Sequence, residues 1–122
     1  MNKTASEAAV LVTTMLPGLK AAQNVEKVLC PPATSLGAVS ELLKASGIGT
    51  GAQNMYWEES GAFTGEISPV MVKEFCQYVI LGHSERRQHF FESDETVNRK
   101  TRAALAHGLI PIVCVGETLA EN

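Results

Sequence analysis

The chain has 122 residues, 45% hydrophobic and 19% charged, a length and balance that fit one ordinary domain and exclude a disordered tail. Its formal net charge of −3 gives no electrostatic basis for binding nucleic acid or an acidic membrane. Cys30, Cys76 and Cys114 are odd in number and far apart, so they support neither a disulfide framework nor a zinc site and read as reduced cytosolic thiols.

Thr4-Ala5-Ser6-Glu7 has capping-box spacing, in which the hydroxyl accepts from the backbone three residues on and the carboxylate reaches back. Ala8, Leu11, Val12 and Met15 then recur at helical intervals, and Pro17-Gly18 is expected to stop the helix. The apolar run from Ala8 to Leu16 is too short to span a bilayer and follows Glu7, so it reads as a helix face. Val28 to Cys30 is a short strand closed by Pro31-Pro32, and Leu36, Val39, Leu42 and Leu43 form the next helical stripe. Ile48 to Ala52 reads as a second strand. Ser68-Pro69 starts a helix with Ser at the N-cap and Pro at the first position. Tyr78 to Leu81 is a third strand. Ser93-Asp94-Glu95 opens a helix that Gly108 closes, and Leu109 to Val115 is a fourth strand, weakened by Pro111.

The order α-β-α-β-α-β-α-β, with continuously apolar strands, belongs to a parallel sheet covered by helices on both faces. No repeat or linker divides it, so residues 1–122 read as a single domain. The stretch from Asn54 to Ser68 is longer than ordinary connections and holds Tyr56, Phe63 and the sole Trp, Trp57. A partner-binding loop and an aromatic plug over the chain's own core are equally compatible with that composition.

Two motifs carry possible chemistry. Gly47-Ile48-Gly49-Thr50-Gly51-Ala52 fits a dinucleotide fingerprint in letters only, because its glycines occupy a strand and do not open a helix. Close backbone packing is the expected reason for them. Gly82-His83-Ser84-Glu85-Arg86-Arg87 follows the end of an apolar strand at once, the place where barrel enzymes hold their chemistry. From residue types alone, a catalytic cluster and a set of surface ion pairs both stand. Arg86-Arg87 and Arg99-Lys100 lie among Glu85, Glu92, Asp94 and Glu95, which reads as a solvated mixed-charge surface.

Gly51 to Asn54 with Gly61 to Pro69 resembles the third-strand and interface-loop signature of the triosephosphate isomerase family. Tyr78 to Arg87 resembles its fourth-strand motif, and Val113 to Leu119 its fifth. The resemblance runs from Met1 to about Glu121. It implies part of a (β/α)8 barrel, with about four parallel strands, in a cytoplasmic enzyme of glycolysis that interconverts glyceraldehyde 3-phosphate and dihydroxyacetone phosphate without metal or cofactor. It implies that His83 is the neutral imidazole that polarises the substrate carbonyl, the family's established chemistry, and that Glu85 is a carboxylate beside the site. Tyr56, Trp57, Phe63, Thr64, Gly65 and Glu66 would belong to the loop that enters a neighbouring subunit, with Thr64 at its tip. Cys114 would pack near the site without reacting, while His89 and His107 match nothing catalytic and are expected at the surface.

The same resemblance implies what these residues do not include. The family's first-strand Asn and Lys, its catalytic Glu, its lid and its glycine-rich phosphate grip have no counterpart here; Lys3 is already at the entry to a helix. The chain thus reads as an N-terminal half-barrel piece lacking the first strand and the second half. It is expected to be inactive alone and to bind a small phosphorylated substrate only if the missing segments are supplied. The other reading is a non-catalytic half-barrel that self-associates. Four strands leave two bare edges and an uncovered apolar face, so a homodimer is expected. Two copies supply eight strands and eight helices, enough to close one barrel with the Cys114 strand of each beside the Cys30 strand of the other; the family's loop contact is the alternative.

Overall fold

In the computed structural model, which describes residues 1–117 and Ala120, Thr4 caps α1 (Ala5–Ala21) as its spacing predicts. Its Oγ1 accepts from Glu7 N–H at 3.3 Å, and Glu7 Oε2 accepts from Thr4 N–H at 2.8 Å. The helix does not stop at Pro17 but runs one turn further. Pro17 removes the donor that Thr13 C=O would use, and Thr13 lies on the exposed side of the helix, where losing that donor costs least. The buried stripe is also displaced from the expected one. Ala8 and Val12 are buried and Leu16 and Leu19 pack beside them, whereas Leu11 and Met15 face out.

Four strands follow: β1 (Val28–Leu29), β2 (Gly49–Ala52), β3 (Tyr78–Leu81) and β4 (Ile110–Val113), parallel and in the order β1-β2-β3-β4. A 3₁₀ turn (Ala33–Ser35) leads into α2 (Leu36–Leu43), which returns the chain from β1 to β2. Ser68 Oγ accepts from Met71 N–H to cap α3 (Pro69–Phe75), with Pro at a first-turn position whose N–H is not needed. A short helix that periodicity did not announce, α4 (Ser84–His89), comes between β3 and α5 (Asp94–Ala106). Gly108 ends α5 at φ +68°, a conformation glycine adopts without strain.

Alternate strand residues face opposite sides, and the two sides differ. Ala52, Val79, Leu81 and Leu109 meet Leu36, Val72, Val97 and Ala104 in the main core, and Ile48 joins α1 and α2 in a second cluster. The other face carries Val28, Gly49, Gly51, Tyr78, Ile80, Ile110 and Ile112, in register across the sheet. Among the described residues no helix covers it, and Ile110 and Ile112 are 52% and 40% exposed. Continuous apolar strands predict burial on both faces, whereas four strands of a barrel predict one uncovered face; the second holds, with one face buried and the sheet open.

Two sequence puzzles resolve locally. A Cβ on Gly49 would lie 2.6 Å from the Tyr78 ring, and one on Gly51 would lie 2.7 Å from Cys30 Sγ, so these glycines serve close packing inside β2. Pro111 sits in β4 because its missing donor is not required there. Ile110 N–H donates to Gln77 O and Cys114 N–H to Leu81 O, which turns Pro111 to the free edge.

Candidate active site at the carboxyl ends of the strands

Leu81 ends β3, and Gly82 turns the chain at φ +70° with Val97 too close to admit a side chain. His83 follows as the N-cap of α4. Its Nδ1 accepts from Glu85 N–H at 3.3 Å, which leaves the ring proton on Nε2, free to donate to a carbonyl or oxyanion. Glu85 Oε2 lies 3.7 Å from that same Nδ1, on the side away from the free donor. His83 and Glu85 border an open cleft of about 560 Å³ with Asn54, Glu66, Ile80 and Arg86. The cleft lies at the carboxyl ends of the strands, where barrel folds place chemistry.

The two arginines of the motif brace the backbone. Arg87 donates through Nε to Gly82 O at 2.9 Å and through Nη1 to Asp94 at 2.7 Å. Arg86 Nε donates to Glu92 Oε2 at 2.9 Å and its guanidinium lies over the Phe90 ring. Glu92 is the surprise. Its side chain is 2% exposed, and its second oxygen accepts from Lys100 Nζ at 2.5 Å; Lys100 is itself 7% exposed and also donates to Asn54 Oδ1 at 2.9 Å. The expected solvated surface is therefore, at these two residues, a buried ion network that ties α4, α5 and the start of the long loop together. A signal existed in the sequence: Val97, Lys100 and Ala104 recur at one helical stripe, and Lys100 belongs to that buried face.

The long loop is plug and projection at once. Met55 and Ser68 are buried at its base, which Tyr56 N–H closes by donating to Ile67 O. Tyr56 stacks on Trp57 and Phe63 with ring centroids 4.1 and 4.7 Å apart, and Arg99 of α5 lies over Trp57. Gly61 to Glu66, Thr64 included, is exposed. Glu66 and Gly65 reach the His83 cleft, whereas Trp57 and Phe63 do not line it.

His89 is exposed, as expected. His107 is not a free surface residue, for both its ring nitrogens are engaged. Burial pushes the Cys30 thiol up and the Cys76 thiol up to about 11, with Cys30 adding to the latter. Cys114 is half-buried beside β4; Thr118 and Leu119 of the fifth-strand resemblance lie outside the described residues. Among the described residues no cluster of three or more candidate metal ligands occurs, and no helix is long and apolar enough to cross a membrane.

A parallel sheet with one helix-covered face and a histidine cleft at its strand ends defines a partial (β/α)8-barrel protein. The family model described as triosephosphate isomerase matches residues 1–122. The triosephosphate isomerase of Chloroflexus aurantiacus is 59% identical over 123 residues, covering all of this chain and 49% of the relative. That of Dehalococcoides mccartyi strain CBDB1 is 54% identical, with 48% of the relative covered. The crystal structure of triosephosphate isomerase from Bartonella henselae superposes with a TM-score of 0.91 at 39% identity, over 99% of this chain and 50% of that one. The chain belongs to the triosephosphate isomerase family, and it spans about half the length of the curated relatives it matches.

Proposed function

We propose that residues 1–122 carry the electrophilic part of a triosephosphate isomerase site. Nε2–H of His83 donates to the carbonyl oxygen of glyceraldehyde 3-phosphate or dihydroxyacetone phosphate, and so stabilises the enediolate formed when a base takes the neighbouring C–H proton. The proton then returns to the adjacent carbon while the hydroxyl proton passes from one oxygen to the other, which interconverts aldose and ketose. The observation that carries this reading is the His83 cap: Nδ1 is occupied by Glu85 N–H, so the ring offers a donor and not a base. Glu85 lies against Nδ1 and is 78% exposed, which suits a carboxylate at the rim better than a buried base. The base, the lid that excludes water and the phosphate grip must therefore come from residues outside 1–122, and the chain by itself is inactive.

Replacing the matching half of the Chloroflexus aurantiacus enzyme with residues 1–122 tests this directly. An active chimera that loses activity on His83→Ala is the expected result. An active chimera indifferent to His83→Ala would end the assignment.

A second observation, the open apolar face with Ile110 and Ile112 exposed, supports self-association of the isolated chain. A second copy either covers that face by closing one barrel, or docks the Trp57 to Glu66 loop while the sheet finds other cover. Sedimentation of Ile112→Lys beside a deletion of Gly61 to Gly65 separates the two. Loss of the dimer only on loop deletion rules out the closed barrel, and a folded monomer of the unmodified chain rules out both.

A further inference from the structure

The ring of His107 is held between two acceptors and no donor. Nδ1 lies 2.8 Å from Ala103 O in the last turn of α5, and Nε2 lies 2.8 Å from Glu59 Oε1 in the long loop. A neutral imidazole has one N–H, so it can satisfy only one of these oxygens and must turn a lone pair on the other. Only the imidazolium satisfies both. The Nε2 contact joins residues 48 apart in sequence, and the ring is only 20% exposed.

We propose that His107 is a pH-operated clasp, which as an imidazolium ties the long loop to the carboxyl end of α5 through Glu59 and which opens when the ring loses a proton. The charged groups facing it are few. Glu59 is the loop's contribution, and Lys73 of α3, whose Nζ donates to Gly108 O at 3.0 Å, opposes the positive charge. The carbonyl of Ala103 and then Glu59 favour the proton more than burial and Lys73 disfavour it, so the ring titrates above its ordinary 6.5. The sign follows. A raised native value means that the clasp's contribution is complete below pH 6.5 and is lost as pH rises through the native value. Trp57, two residues from Glu59 and stacked under Arg99, sits on the part of the loop that the clasp fixes. The loop tip is thereby held in acid and freed in base.

Because the chain has one tryptophan, its emission reports the loop alone. The emission of the full chain is titrated from pH 5.5 to pH 9, alongside ring nitrogen shifts of His107 by NMR. In the unmodified chain, a sigmoid change of Trp57 emission is expected, with the same midpoint as His107 and above 6.5. Glu59→Gln, an exposed change that leaves the fold alone, moves the midpoint down, and His107→Gln removes the transition. A His107 midpoint at or below 6.5, or an emission change that survives His107→Gln, overturns the proposal.

Discussion

Glu92→Ala removes the carboxylate that two cations share, and the cost divides unequally between them. Arg86 is 29% exposed and can turn its guanidinium to water. Lys100 cannot: at 7% exposure it is left with a single neutral acceptor, Asn54 Oδ1. Breaking a buried pair from one side costs about 3–5 kcal/mol, chiefly as the penalty of the stranded charge. A domain's whole stability is about 5–15 kcal/mol, so this one change removes about a fifth of it or more. The penalty belongs to the charge left behind, so removing both partners costs far less. Glu92→Leu combined with Lys100→Met is expected to recover most of the loss, because apolar groups of similar volume replace the pair. Urea unfolding followed by circular dichroism and Trp57 emission measures all the variants. A Glu92→Ala cost below about 1 kcal/mol, the range of an exposed pair, would refute the claim that the network is buried and coupled.

Gly51→Ala places a Cβ 2.7 Å from Cys30 Sγ and 3.3 Å from Tyr78 Cβ, and overpacking of that kind costs about 1–3 kcal/mol. Gly18→Ala in α1 meets nothing within 4 Å and is expected to stabilise by about 0.5–1 kcal/mol in the same urea assay, which separates a steric cost from a general effect of the substitution. Phe91 holds φ +55° and is 92% exposed, so Phe91→Gly relieves roughly 1–2 kcal/mol of left-handed strain against a smaller entropic cost. A small net gain is expected, and a loss would show that the ring is covered. Cys76, buried with its thiol pushed up to about 11, should be the last of the three cysteines to react with iodoacetamide at pH 8, as read by mass spectrometry; equal labelling of all three would refute that burial.

What the sequence makes legible is what depends on local chemistry. Tyr78 to Leu81 emerges as β3 with both ends as read, because an apolar β-former run met a glycine. Thr4, Ser68 and Ser93 each cap the helix that their spacing announces. Errors arise where the third dimension decides. Pro17 stays inside α1 on its exposed side, beside an exposed Thr13, and which side of the helix that is depends on packing that composition does not hold. The burial of Glu92 and Lys100 depends on Asn54, 46 residues from Lys100, arriving beside them. Apolar strands are continuous in both a doubly covered sheet and a barrel wall, so the open face follows from the number of strands and not from the run of letters. At the candidate site, residue types leave His83 and Glu85 open between a catalytic cluster and surface ion pairs, the family motif favours the first, and the structure adds that Nδ1 of His83 is occupied. His107 reads as a surface residue because its partners, Ala103 and Glu59, carry no shared pattern.

The most direct test is a coupled isomerase assay on the purified 122-residue chain, run beside its His83→Ala variant. A positioned general base contributes about 10²–10⁴-fold by itself, and residues 1–117 place no buried carboxylate opposite the free Nε2 of His83. The expected result is a rate for the unmodified chain no different from that of His83→Ala. Turnover well above that control, abolished by His83→Ala, would contradict the claim that these residues hold only the electrophilic part of the site.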